Sequence, residues 1–246
     1  MKRISSGPSA VFLYLAVLVP LSLQANITPI SLGLYNTGVD DSGNVLGALV
    51  TDPHYTVVSD PIGPTTPSTD RATALVEDPS QFPFGYWAPD NATSAWISQY
   101  PANSSSALNN GSLDSQPDGL YDYRTTFNLT ATQAKDFILT GGWSTDNEGF
   151  SILINGTTVG ASISEIPPGY NTFDTFPAGT FTISSGFQAG VNTLDFVVQN
   201  DVQSYGNPTG LRAEFTSATP EPGVYGILAL GMSGLLLLVR RKRQAP

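Results

Sequence analysis

The feature that most constrains the fold is the turn punctuation between residues 26 and 217. Short runs of β-branched and aromatic residues are separated by Gly, Pro, Asn or Asp at intervals of roughly ten residues. The best candidate for a helix, Thr130–Asp136, is about two turns long, with Thr130 ahead of Gln133 as in a capping box. This pattern predicts one all-β domain, a β-sandwich with little helix.

Two segments alternate most clearly between apolar and polar residues, Tyr121–Leu129 and Asn192–Gln199. Successive side chains of a strand point to opposite faces, so one face of each segment would lie in a core. The predicted strands are Ser31–Tyr35, Tyr55–Ser59, Ala72–Val76, Ala95–Ser98, Tyr121–Leu129, Phe137–Trp143, Phe150–Ile154, Thr157–Ser162, Thr180–Ser184, Asn192–Gln199 and Leu211–Thr216.

Asn155-Gly156 is the strongest hairpin signal in the chain. Both residues tolerate positive φ, which a type I′ turn requires at its two central positions. We therefore predict a tight turn that pairs Ser151–Ile154 with Thr157–Ser162.

The C-terminal region has three parts in a fixed order: Pro-Glu-Pro, an uncharged apolar run over Val224–Val239, and four basic residues. The prolines keep the first part extended. The 16 residues of the run would form a helix of about 24 Å, somewhat short of the ~30 Å hydrocarbon core. Basic residues stay on the cytoplasmic side, so we expect a transmembrane helix with the preceding domain outside. The flanking residues are Pro220, Glu221 and Pro222 before the span and Arg240, Arg241, Lys242 and Arg243 after it.

The N-terminus is typical of a signal peptide. Basic residues at positions 2 and 3 precede the apolar run Val11–Val19, Pro20 breaks that run, and Leu23-Gln24-Ala25 is a candidate cleavage site. We therefore predict a signal peptide over residues 1–25, an exported domain over 26–217 and a sorting and anchor segment over 218–246.

The C-terminal order resembles the PEP-CTERM sorting signal of bacterial surface proteins. The resemblance rests on Pro220-Glu221-Pro222, on the glycines of the apolar run and on the final basic cluster. It implies that a membrane-embedded, exosortase-type enzyme cuts near Pro-Glu-Pro and passes the protein towards the cell surface. The alternative is a permanent anchor that is not cut.

The exported domain looks like a recurrent PEP-CTERM ectodomain, which is similar to galactose-binding-like jelly rolls. This second resemblance implies a jelly-roll-like antiparallel β-sandwich with a role in binding sugar or matrix. It rests on Leu34–Asn44, Asp52–Pro61, Ser94–Ser98, Tyr123–Thr130, Gly141–Gly156 and Ala189–Asn200.

Composition excludes several classes of function. The chain has no cysteine, which rules out disulfides, zinc-thiolate sites and cysteine nucleophiles. Between the two terminal signals, residues 26–217 contain four basic and nineteen acidic residues, a net charge near −15 that repels nucleic acid. His54 is the single histidine and has no nearby G-x-S-x-G motif, so we expect no enzyme.

No cofactor is predicted, with a structural calcium ion as an option. Acidic turns supply hard oxygen ligands at Asp40–Asn44, Asp114–Asp118 and Asp146–Glu148. None has the spacing of an EF-hand, and solvated turns explain them better than a metal site does.

Sugar binding needs an aromatic platform beside polar groups. Trp87, Trp96 and Trp143 with Asp146 and Asn147 are the candidates, and Tyr86 and Tyr100 could add to the platform. Trp96 and Trp143 also suit a core. The first hypothesis is therefore a non-enzymatic exported protein of the cell surface or extracellular matrix. The alternative is a module on the same anchor that binds carbohydrate, namely exopolysaccharide. The expected partners are the membrane, an exosortase-type enzyme and extracellular polysaccharide, but not nucleic acid.

Overall fold

The computed structural model describes residues 28–61, 73–101, 116–160, 162–163, 172–203 and 206–219. These ranges are all-β: they form an antiparallel sheet and contain no α-helix, only two short 3-10 helices at Pro29–Leu32 and Gln133–Lys135. The all-β prediction is confirmed. Within the same ranges, no helix is long and apolar enough to cross a membrane. The predicted signal peptide and the span at 224–239 lie outside the described residues.

The sheet has ten strands in the order β7-β6-β9-β4-β1-β2-β3-β10-β5-β8. All neighbouring pairs are antiparallel. The strands are β1 Thr51–Ser59, β2 Thr73–Val76, β3 Ile97–Ser98, β4 Gly119–Leu129, β5 Ile138–Asp146, β6 Glu148–Ile154, β7 Thr157–Thr158, β8 Gly179–Ile183, β9 Gly190–Asn200 and β10 Gly210–Thr219.

The core lies where the curled sheet brings β9 against β5 and β8. The Phe196 ring of β9 lies 5.6 Å from the Trp143 ring of β5 and 5.8 Å from the Phe181 ring of β8. All three side chains are buried. Burying an aromatic side chain of this kind stabilises a fold by roughly 1.5–3 kcal/mol. In β4, Tyr121 and Tyr123 face the same core, as the alternating pattern predicts.

One predicted strand, Ser31–Tyr35, is wrong. Residues Pro29–Leu32 form a 3-10 helix instead, with backbone N–H donors bonded locally, Ser31 to the Thr28 carbonyl and Gly33 to the Ile30 carbonyl, both at 3.0 Å. Pro29 fixes φ near the helical value and has no N–H to give to a ladder. The first two residues of the predicted strand therefore lie in a helical turn.

The predicted helix at Thr130–Asp136 is present only as the 3-10 helix Gln133–Lys135. Its capping box forms: the Thr130 N–H donates to Gln133 Oε1 at 2.8 Å, and the Gln133 N–H donates to Thr130 Oγ1 at 3.2 Å. Since β5 begins at Ile138, the segment has no room for a further turn.

The predicted hairpin turn is confirmed. Asn155 and Gly156 have φ of 50° and 78°, and Ile154 pairs with Thr157 across the turn. The partner strand is shorter than predicted, because β7 ends at Thr158. The Asn155 side chain donates to the Gly186 carbonyl and to Asn192 Oδ1, both at 2.9 Å, and so fixes the turn to the next loop.

Replacing Gly156 with valine is expected to destabilise the protein by about 1–3 kcal/mol, because a β-branched residue resists positive φ. No atom lies within 4 Å of a Cβ built on Gly156, so the substitution tests backbone conformation without a clash. Thr157→Val is the control, since it places the same side chain on the neighbouring exposed strand residue. Thermal unfolding measures both, and an unchanged Tm for Gly156→Val would contradict the argument.

Candidate functional site

A cleft of about 390 Å³ is the candidate site. This volume falls in the roughly 300–1,000 Å³ range of small-molecule sites. Three segments form its walls: a turn over residues 81–87, the loop after residue 171 and the segment between β9 and β10. The lining residues are Phe82, Pro83, Tyr86, Trp87, Asp146, Phe173, Gln203, Gly206 and Pro208.

The turn over residues 81–87 presents one aromatic residue to solvent and buries the next. Backbone hydrogen bonds from Phe84 to the Gln81 carbonyl at 2.9 Å and from Tyr86 to the Pro83 carbonyl at 3.1 Å close the turn. Tyr86 is 69% exposed, whereas Trp87 is buried. The Phe82 ring meets the Tyr86 ring edge-on at 6.1 Å. The turn therefore offers an exposed aromatic ring on a fixed backbone.

A buried tryptophan pair supports the floor of the cleft. The Trp87 indole N–H donates to Asp146 Oδ2 at 2.8 Å, and the Trp87 and Trp96 rings lie 4.3 Å apart. Trp96 donates its own indole N–H to the Ala88 carbonyl at 2.8 Å. Gly210 permits this arrangement, because a Cβ there would come within 2.6 Å of the Trp87 ring.

Buried amides hold the third wall of the cleft, which is the segment between β9 and β10. Asn147 Oδ1 accepts from the Asp201 N–H at 2.7 Å, which fixes the start of the segment between β9 and β10. Asn207 and Asn200 donate their side-chain N–H groups to the Gln116 carbonyl, at 2.9 and 3.2 Å. The Oδ1 atoms of Asn200 and Asn207 are buried and accept no hydrogen bond from the described residues. The wall is thus built on polar groups rather than on an apolar core.

The predicted sugar-binding residues divide into two groups. Trp87 and Asp146 line the cleft, and Trp96 and Asn147 lie buried directly behind them. Trp143 is separate, since it is buried in the core against Phe196. The burial of Trp96 and Trp143 agrees with the alternative that both are core residues.

Sequence reasoning missed three contributors to the cleft, Phe82, Phe173 and Gln203. Phe82 belongs to the aromatic run that contains Tyr86 and Trp87, so that run carried a usable signal. The sequence carried no such signal for Phe173 or Gln203, because no local pattern determines the course of the loops that contain them. The Ala88 N–H bonds the Phe173 carbonyl at 2.7 Å, which brings the second loop to the turn.

The acidic turns do not assemble a metal site in the described ranges, where no group of three or more His, Asp or Glu side chains is placed to hold an ion. Asp40 Oδ1 instead accepts from the backbone N–H of Ser42 at 2.8 Å and of Asn44 at 2.9 Å. Hydrogen bonds from the backbone and the side chain of Asn44 lower the pKa of Asp40. The calcium option thus finds no ligand set in these ranges, and Asp114 lies outside them.

A second polar cluster joins β1 to the loop before it. The His54 ring stacks on Tyr35 at 3.5 Å, and its Nε2 lies 3.6 Å from Asp41 Oδ1. Asp52 is buried and accepts from the N–H of Gly38 at 2.7 Å and of His54 at 2.8 Å. Burial lowers the pKa of His54 and raises the pKa of Asp52 to about 6. The cluster holds the loop in place, and this is a structural role.

Comparison with protein-family models, with curated proteins and with solved structures gives no match for this chain, so its function must be argued from the residues themselves.

Proposed function

We propose that this protein is a non-enzymatic, exported protein of the bacterial cell surface or extracellular matrix. The observation that carries the proposal is the three-part order of the C-terminus, Pro-Glu-Pro, apolar run and basic cluster. The precursor spans the membrane once through Val224–Val239, with its β domain outside. An exosortase-type enzyme then removes the segment after Pro220-Glu221-Pro222.

The domain itself is a jelly-roll-like β-sandwich in this proposal. The contacts of Phe196 with Trp143 and Phe181 support two facing layers, because these rings come from distant parts of the strand order. A domain without cysteine has no disulfides, so it depends on such packing for much of its stability.

The polar groups of the domain support a structural or binding role. Arg124 forms a two-bond ion pair with Asp195 at 2.6 and 2.9 Å, and buried Arg212 lies 3.6 Å from Glu214. His54 contacts a tyrosine ring and an exposed carboxylate. These groups hold strands and loops together.

Carbohydrate binding is the second candidate function, favoured by the cleft. Aromatic side chains and a small number of polar groups make a concave site of the size that small ligands occupy. A surface protein with such a site would hold polysaccharide outside the cell.

Glu221→Ala is expected to prevent removal of the tail in a host that has the processing enzyme. Two prolines around a carboxylate give an extended segment that a protease can recognise beside the membrane. Mass spectrometry of the C-terminus should find Arg240–Arg243 in the mature variant and not in the mature wild type. Thr219→Ala, outside the motif, is the control and should be processed normally. If wild type and Glu221→Ala both retain the basic cluster, the segment is a permanent anchor and the sorting proposal fails.

A further inference from the structure

We propose that the cleft binds neutral saccharides, with Tyr86 as the stacking platform, and that it rejects polysaccharides that carry carboxylate or sulfate groups. This inference rests on carbohydrate binding, the second candidate function, and defines its ligand class. Three properties of the described residues that line the cleft lead to it: an exposed ring on a fixed backbone, the absence of lysine and arginine, and the exposed amide of Gln203.

Tyr86 has the exposure that stacking requires. It is 69% exposed, and the nearby Phe82 ring stands at 70° to its plane, with the ring centroids 6.1 Å apart. One face of a pyranose ring is a patch of C–H groups, which gains free energy by covering an aromatic face. Trp87 cannot take this role, because it is buried against Trp96.

The platform is also preorganised. The Tyr86 backbone N–H is bonded to Pro83, and the adjacent Trp87 is fixed by its indole bond to Asp146. A ligand therefore does not have to order the turn when it binds, which reduces the entropic cost of association.

Charge selects the ligand class. The described residues that line the cleft include the carboxylate of Asp146 and no lysine or arginine. Two further acidic residues, Asp174 and Asp201, adjoin the cleft in sequence, and both are exposed. The chain as a whole is acidic, with twenty Asp and Glu against ten Lys and Arg. A polyuronate or sulfated polymer would meet only like charge here, which opposes its approach and its binding.

Hydrogen-bonding capacity favours a saccharide over a proline-rich peptide. Aromatic grooves also bind extended proline-rich segments, whose backbone carbonyls need donors from the groove. One donor of this cleft, the Trp87 indole N–H, is already bonded to Asp146. Saccharide hydroxyls can donate as well as accept, so they suit the exposed amide of Gln203, which also does both.

The test is affinity electrophoresis of the full-length chain, purified in a detergent without a sugar headgroup. The neutral probes are dextran, hydroxyethyl cellulose and a galactan, the anionic probe is alginate, and a proline-rich peptide serves in a parallel titration. Wild type should be retarded by at least one neutral polymer and not by alginate. Tyr86→Ala should weaken that binding about tenfold or more without lowering the Tm. Phe150→Ala is the matched control, because Phe150 is an exposed aromatic residue of β6 that does not line the cleft.

The outcomes separate the two proposals. Retardation by alginate, or neutral binding that Tyr86→Ala leaves unchanged, would overturn the inference on ligand class and site while leaving carbohydrate binding in place. No retardation by any polymer would overturn carbohydrate binding itself, and tight binding of the peptide alone would replace it with peptide recognition.

Discussion

Replacing Arg212 with methionine is expected to destabilise the protein by about 3–5 kcal/mol, the cost of removing one partner of a buried charged network. Arg212 is 1% exposed. Its Nε donates to Ser94 Oγ at 2.7 Å, and its Nη1 donates to the Pro89 carbonyl at 2.6 Å. Its charge lies 3.6 Å from Glu214 and 3.9 Å over the Phe176 ring. Methionine fills much of the volume but satisfies none of these groups.

Denaturant unfolding measures the effect, with Lys135→Met as the matched control. Lys135 is exposed on the short helix before β5, so losing its charge should change stability by no more than about 0.5 kcal/mol. Arg212→Lys should fall between the two, because lysine keeps the charge but not the planar fork of donors. A loss below about 1 kcal/mol for Arg212→Met would show that the network contributes little to stability.

The titration of Asp52 is expected to lower the free energy of unfolding of the wild type by about 3 kcal/mol between pH 4 and pH 7. Asp52→Asn is expected to lack this decrease. Burial raises the pKa of Asp52 from 3.8 to about 6. The folded chain therefore holds this proton more tightly than the unfolded chain. The stabilising contribution is complete below pH 3.8 and is lost as pH rises to about 6. Asparagine does not titrate, so the variant lacks this loss.

Other groups also titrate in this range, and the comparison with wild type isolates Asp52. Burial and the charge of Asp195 raise the pKa of Asp122 to about 6, which acts in the same direction. Burial lowers the pKa of His54. Protonation of His54 therefore destabilises the folded chain as pH falls below 6.5. Both contributions are present in wild type and variant, so they cancel in the difference.

The free energy of unfolding at several pH values gives both profiles, and Asp136→Asn is the control. Asp136 is exposed, so its variant should follow the wild-type profile. Parallel profiles for wild type and Asp52→Asn would mean that Asp52 titrates normally in the folded chain. The absolute stability of Asp52→Asn is not diagnostic, because asparagine has only one oxygen for the two backbone donors of Gly38 and His54.

Local sequence determined the features that depend on residues close together in the chain. The Asn155-Gly156 turn follows from the tolerance of two adjacent residues for positive φ, and the capping box follows from Thr130 and Gln133 three positions apart. The alternation of β4 and β9 predicted which side chains enter the core, because period two is a property of any strand. The same local rule failed at Ser31–Tyr35, where Pro29 upstream favours a helical turn.

Only the tertiary structure decided the cleft and the buried charges. Trp87 and Asp146 are 59 positions apart, and Arg212 and Ser94 are 118 apart. No spacing rule connects such residues, since their meeting depends on the strand order of the whole sheet and on the course of the loops. The sequence could therefore name Trp87 and Asp146 as candidates by residue type. It could not separate them from Trp143, because the difference between a core tryptophan and a cleft tryptophan is set by what packs over each ring.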